Sequence, residues 1–131
     1  MIGAETSGGK TALMLQLACS ALAAGQNVLI FSLEMEAEML VKRMLACAGT
    51  VAMRSIIEKA FVEHDMARLT HASLAIGTPR LSICDQPLPI NQIESVAKAE
   101  HAVRPIDFLG VDYIQIVPSD NHRRGESRQQ E

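Results

Sequence analysis

The chain has 131 residues, of which 48% are apolar and 21% charged. That is the make-up of a single globular domain with its own core, and it excludes a disordered chain. A net charge of −3, with three Phe, one Tyr and no Trp, argues against a surface that attracts nucleic acid as a whole and against base-stacking platforms.

No apolar run reaches membrane-spanning length and no basic-then-apolar leader precedes the first motif, so a soluble, cytoplasmic protein without membrane association is expected. Cys19, Cys47 and Cys84 lie in apolar surroundings without CxxC spacing and are expected to be buried free thiols.

The first motif is Ala4-Glu5-Thr6-Ser7-Gly8-Gly9-Lys10-Thr11, which runs straight into an apolar helical stretch. Its ending is that of a phosphate-binding loop. Small residues (Ala4, Ser7, Gly8, Gly9) let successive backbone N–H groups close around phosphate oxygens. Lys10 reaches the outer phosphates, the Thr11 hydroxyl holds magnesium, and the helix behind adds positive charge at the anion. Ala4 stands where such loops usually carry their first glycine, and Gly8 and Gly9 remain for positive-φ positions.

Residues 10–24 read as a helix apolar almost all round, hence buried between layers and stopped by Gly25. The continuous run Val28-Leu29-Ile30-Phe31 reads as a central parallel strand. Residues 36–48 form the next helix, with Ala37, Leu40, Val41, Met44, Leu45 and Ala48 on its inner face and Gly49 closing it. A short helix is expected over 52–60 and a longer one over 62–76, the latter carrying Val62, Met66, Leu69 and Ile76. Leu81-Ser82-Ile83-Cys84 alternates like a strand nearer the sheet edge, residues 90–102 form a helix, and Ile106 to Val117 form another buried strand. A polar loop follows Pro118, and Glu126 to Glu131 begins a further helix. Strands alternating with helices imply an α/β sandwich with a mainly parallel sheet.

Two acids fall at strand C-terminal ends, where open α/β sheets bind ligands. Asp112 ends Phe108-Leu109-Gly110-Val111 and suits the far side of a magnesium shell begun by Thr11. Glu34 ends the strand Val28–Leu33; from position alone it is equally a base that polarises a water for attack on a γ-phosphate or an acid complementing the next helix dipole. Tyr113 and Gln115 fit either the core or a nucleotide contact. Arg123, Arg124 and Arg128 suit phosphate-backbone contacts, but Asp120, Glu126 and Glu131 balance them, and a solvated loop is the better reading.

These blocks resemble the C-terminal, RecA-like ATPase domain of DnaB-type replicative DNA helicases. Residues 4–13 are similar to its Walker A motif, Ala12 included. Phe31-Ser32-Leu33-Glu34-Met35 with Arg43-Met44-Leu45 is similar to the block holding its catalytic glutamate. Val111-Asp112-Tyr113-Ile114-Gln115 is similar to its Walker B motif, and Arg128-Gln129-Gln130-Glu131 to the helix start beyond. Glu5-Thr6 departs from the family's more frequent Arg-Pro, and Gly8 stands where a bulkier residue is common.

The resemblance implies a three-layer, P-loop NTPase sandwich, present incompletely as one partial domain over residues 1–131. It implies ATP and Mg2+ as cofactors, with Glu34 as general base and Lys10 beside it in catalysis. It also implies a homo-hexameric ring that moves on single-stranded DNA to unwind duplex, with primase and a helicase loader as possible partners. Because the family's arginine finger, sensor strand and DNA-contacting loop come later, the chain by itself is expected to keep weak nucleotide affinity without unwinding DNA. A recombinase-type or clock-type ATPase, and an inactive remnant of such a domain, are the alternatives. A small-molecule kinase is disfavoured by the lack of an arginine-rich lid.

Overall fold

The computed structural model describes residues 9–112. Its centre is β1 (Val28–Ser32), every residue of which is buried. β-Branched and aromatic side chains with no polar residue before Ser32 suit a strand covered on both faces. β2 (Leu81–Cys84) and β3 (Phe108–Asp112) flank it, and both pairings are parallel, in the order β2-β1-β3. Val28 is opposite Leu81 on one side and Phe108 on the other, so all three strands begin at one level.

Asn27 sets that level. Its carbonyl accepts the N–H groups of Asp107 and Phe108 at 2.9 and 3.1 Å, while its own N–H donates to the Asp107 carboxylate at 2.8 Å. The strand expected over 106–117 thus starts at Phe108: Asp107 is engaged in this clamp, and the Ile106 N–H donates to His101 Nδ1 at 3.0 Å; residues 113–117 lie outside the described part.

Successive side chains of β1 point to opposite faces. Val28 and Ile30 join Leu15, Ala18, Ala21 and Leu22 of α1 (Lys10–Ala23), Leu40 and Met44 of α2 (Ala37–Gly49) and Ile76 of α4 (Glu63–Ile76) in one core. Leu29 and Phe31 join Ile93 of α5 (Ile90–Val103) in the other, with Val96 and Ala97 packed alongside. Helices on both faces of a parallel sheet make the three-layer α/β sandwich that the alternation of elements implied. The short α3 (Met53–Glu58) connects α2 to α4.

Several packing expectations are corrected. α1 is not enclosed between layers: Leu13 and Leu17 are 40% and 43% exposed, and only the Leu15, Ala18, Ala21 and Leu22 face is covered. Gly49 does not terminate α2. It is a buried helical residue against α4, where a Cβ would lie 3.4 Å from the Arg68 carbonyl, and the left-handed closing position is taken by Thr50 at φ 52°.

In α4 the inward row is Asp65, Ala72 and Ile76, whereas Val62 and Met66 are exposed. The Asp65 carboxylate accepts the Val62 N–H at 3.3 Å, and this local bond fixes which side of the first turn faces inward. In α5 (Ile90–Val103) Ile90 is exposed, and burial begins at Ile93. All three cysteines are free, but Cys47 is exposed rather than buried, and Cys19 and Cys84 are half-buried.

Candidate nucleotide site

The C-terminal ends of the three strands and the N-terminus of α1 meet at one edge. Gly9 precedes α1 with φ 72°, a left-handed conformation that glycine adopts without strain, and its carbonyl accepts the Leu13 N–H at 3.0 Å. No side chain among the described residues caps the helix. Lys10 and Thr11 open the helix, both half-buried, while Ala12 is exposed.

Across from them stands Asp112, the last residue of β3. The Thr11 hydroxyl donates to its carboxylate at 2.9 Å, joining residues 101 positions apart in the chain. One helical turn further on, Met14 rests on Gly110, where an added Cβ would meet the Met14 sulfur at 2.9 Å. The absent side chain at Gly110 therefore lets α1 approach β3 closely enough for Thr11 to reach Asp112.

Glu34 lies beside this pair. Ser32 is in register with Asp112, and the Leu33 N–H continues the pairing to the Asp112 carbonyl at 2.7 Å. Glu34, the next residue, is exposed. Two hydrogen bonds that sequence reasoning did not single out hold its connection to α2: the Ser32 hydroxyl donates to the Met35 carbonyl at 2.6 Å, and the Ala37 N–H donates to the Asp85 carboxylate at 2.9 Å. The available signal for Asp85 was that an acid follows an apolar strand there, as it does at Asp112.

The arrangement offers one hydroxyl and one carboxylate side by side, oxygen donors of the kind a hard divalent cation takes. It also offers a helix N-terminus and a lysine, the groups an anion takes. Among the described residues no group of three or more His, Cys, Asp or Glu is poised to hold a metal by itself. Ala4, Ser7, Gly8, Tyr113, Gln115, Arg123, Arg124 and Arg128 lie outside the described residues.

The family model for the DnaB-like helicase C-terminal domain matches residues 1–131. The chain belongs to this family. The DnaB-like domain is 31% identical over 133 residues to the replicative DNA helicase DnaB of Geobacillus stearothermophilus, covering 100% of this chain and 29% of that protein. The replicative DNA helicase DnaC of Bacillus subtilis (strain 168) is likewise 31% identical over 133 residues, with 29% of its length covered. The chain thus spans under a third of the curated relatives it matches.

Among solved structures, the DnaB-like domain superposes on one described as an ATPase domain with a TM-score of 0.79 and 25% identity, covering 92% of this chain and 44% of that one. It superposes on a DnaB-like replicative helicase, described with its interactions with primase, with a TM-score of 0.80 and 25% identity over 92% of this chain and 30% of that one. The fold is that of the RecA-like helicase ATPase domains. No helix among the described residues is long and apolar enough to cross a membrane.

Proposed function

We propose that this chain, over residues 1–131, is the ATP-binding and hydrolysing part of a replicative helicase motor. The observation that carries the reading is the Thr11–Asp112 hydrogen bond at 2.9 Å, which joins a helix N-terminus to a strand end at the sheet edge where such folds bind ligands. ATP is the substrate. Thr11 and Asp112 hold Mg2+, which when bound draws charge from the phosphate oxygens. Lys10 neutralises the outer phosphates, and Ala4, Ser7, Gly8, Gly9 and Ala12 are the further candidates for nucleotide contact.

Glu34 takes a proton from the attacking water. A bond forms from that water to the γ-phosphorus as the bond to the ADP oxygen breaks. Exposure of Glu34 suits this role, since its carboxylate is open to the solvent that supplies the nucleophile.

From family membership we further infer a homo-hexamer in the cytoplasm, translocating on single-stranded DNA and unwinding duplex, with primase and a helicase loader as partners. Arg123, Arg124 and Arg128 are the candidates for phosphate-backbone contact, subject to the acids around them.

Mg-ATP binding by the chain, followed by calorimetry, is expected to weaken at least about tenfold in Lys10→Ala, through loss of a charge-assisted contact of about 1.5–3 kcal/mol. Equal affinity in the two proteins removes the nucleotide-site assignment.

A further inference from the structure

We propose that Asp85 is a positioning residue for Glu34, acting through the first amide of α2. The inference rests on the reading of Glu34 as the base and adds a residue from outside the motifs that define it.

Glu34 belongs to the short connection between β1 and α2, and its side chain is exposed, so packing does not hold it. The connection is fixed by its backbone at three places instead. At the front, the Leu33 N–H donates to the Asp112 carbonyl at 2.7 Å. Within it, the Ser32 hydroxyl donates to the Met35 carbonyl at 2.6 Å. At the back, the Ala37 N–H donates to the Asp85 carboxylate at 2.9 Å.

The third fixing is unusual in its source. A helix normally receives its N-terminal cap from the residue just before it, but Glu36 makes no side-chain cap bond to α2. The acceptor comes from the neighbouring strand, 48 positions away. Cys84 pairs with Phe31, so Asp85 emerges beside the end of β1 on the side opposite Asp112. Each strand thus sends one acid to the same edge, and the outer two brace the segment bearing the middle one: Asp112 through its carbonyl, Asp85 through its carboxylate. A carboxylate is suited to this place because its charge is set against the positive end of α2.

The test uses the full chain and four variants: Asp85→Ala, Asp85→Asn, Glu34→Gln and the double Glu34→Gln/Asp85→Ala. Amide exchange at Ala37 is followed by NMR, and Mg-ATP affinity and single-turnover hydrolysis are measured with protein in excess. Asp85→Ala is expected to speed exchange at Ala37 about tenfold, the effect of losing one hydrogen bond. It is expected to lower the hydrolysis rate constant by about 10–100-fold, since small misplacements of a reacting group cost that much, while affinity stays within about twofold.

Asp85→Asn keeps an acceptor oxygen and is expected to recover to within about threefold of the parent. The double variant is expected to be no slower than Glu34→Gln alone. Unchanged exchange at Ala37, a loss of affinity in place of rate, or further slowing in the double variant overturns the proposal. Hydrolysis by Glu34→Gln at the parent rate instead removes the base assignment, and is read independently of exchange at Ala37.

Discussion

Replacing Thr11 by Val removes one hydroxyl and keeps the shape, so it isolates the bond that closes the site. That bond is 2.9 Å long, ends on a carboxylate and joins two half-buried side chains. Hydrogen bonds to charged groups contribute about 1.5–3 kcal/mol, and half-exposure lets water replace part of it, so about 1–1.5 kcal/mol is expected here. In urea the midpoint should fall with no change in slope, because the surface exposed on unfolding is unaltered. Thr11→Ser, which keeps the donor, should stay within about 0.5 kcal/mol of the parent.

A second measurement separates stability from the site. A ligand at about 100 times its dissociation constant stabilises the protein that binds it by about 2.7 kcal/mol. Mg-ATP should raise the midpoint of the parent and of Thr11→Ser, and should raise that of Thr11→Val much less. If Thr11→Val unfolds at the parent midpoint without nucleotide, the hydrogen bond contributes nothing. If its response to Mg-ATP is also undiminished, Thr11 has no part in holding the metal and the nucleotide site must be sought elsewhere.

Burial, and then the neighbouring Cys47, push the Cys19 thiol from an ordinary 9.0 up to about 11. At pH 8 its thiolate fraction is thus about 100-fold below that of an ordinary thiol. Iodoacetamide at that pH should label exposed Cys47 well before Cys19 by peptide mass spectrometry, and equal rates would contradict the packing of α1 against α2. Because the unfolded thiol ionises first, this group's effect on stability should be absent below 9.0 and turn unfavourable as pH climbs toward about 11. Thr50, a β-branched residue at φ 52°, closes α2 under strain. Thr50→Gly should relieve about 1–2 kcal/mol of it and lose about 0.4–1 kcal/mol to unfolded-chain entropy, a net gain of roughly 0.5–1 kcal/mol in urea unfolding. A lower midpoint would show that the threonine side chain contributes more than its backbone strain costs.

Much of the architecture could be read in advance because its signals are local. The unbroken Val28–Phe31 run marks a strand covered on both faces, and the two cores that share β1 are the consequence. The phosphate-loop ending marks Thr11 and the acid after an apolar strand marks Asp112, although their spacing of 101 positions does not itself specify the bond between them. Side-chain facing was harder. The periodicity of residues 62–76 allows two neighbouring apolar rows, and the choice falls to Asp65, whose bond to the Val62 N–H turns the other row outward. Gly49 looked like a helix stop because glycine often is one, yet its use is the close approach of α2 to α4. Such contacts depend on a partner helix that sequence spacing does not specify.

The three acids at the strand ends differ in what their surroundings let them do, although the sequence presents each simply as an acid near the end of an apolar run. Asp112 is half-buried and has a hydroxyl donor beside it, so its carboxylate is oriented. Asp85 is half-buried and committed to a helix amide. Glu34 is exposed, on a segment whose backbone is tied on both sides. A metal-holding group benefits from a fixed direction, and a brace from a single strong acceptor bond, whereas a base needs contact with water and an accurately placed backbone. The division of labour proposed for them follows from register. Because Ser32 pairs with Asp112 and Phe31 with Cys84, the central strand alone delivers its acid between the other two, and a shift of one residue would turn it to the opposite face of the sheet.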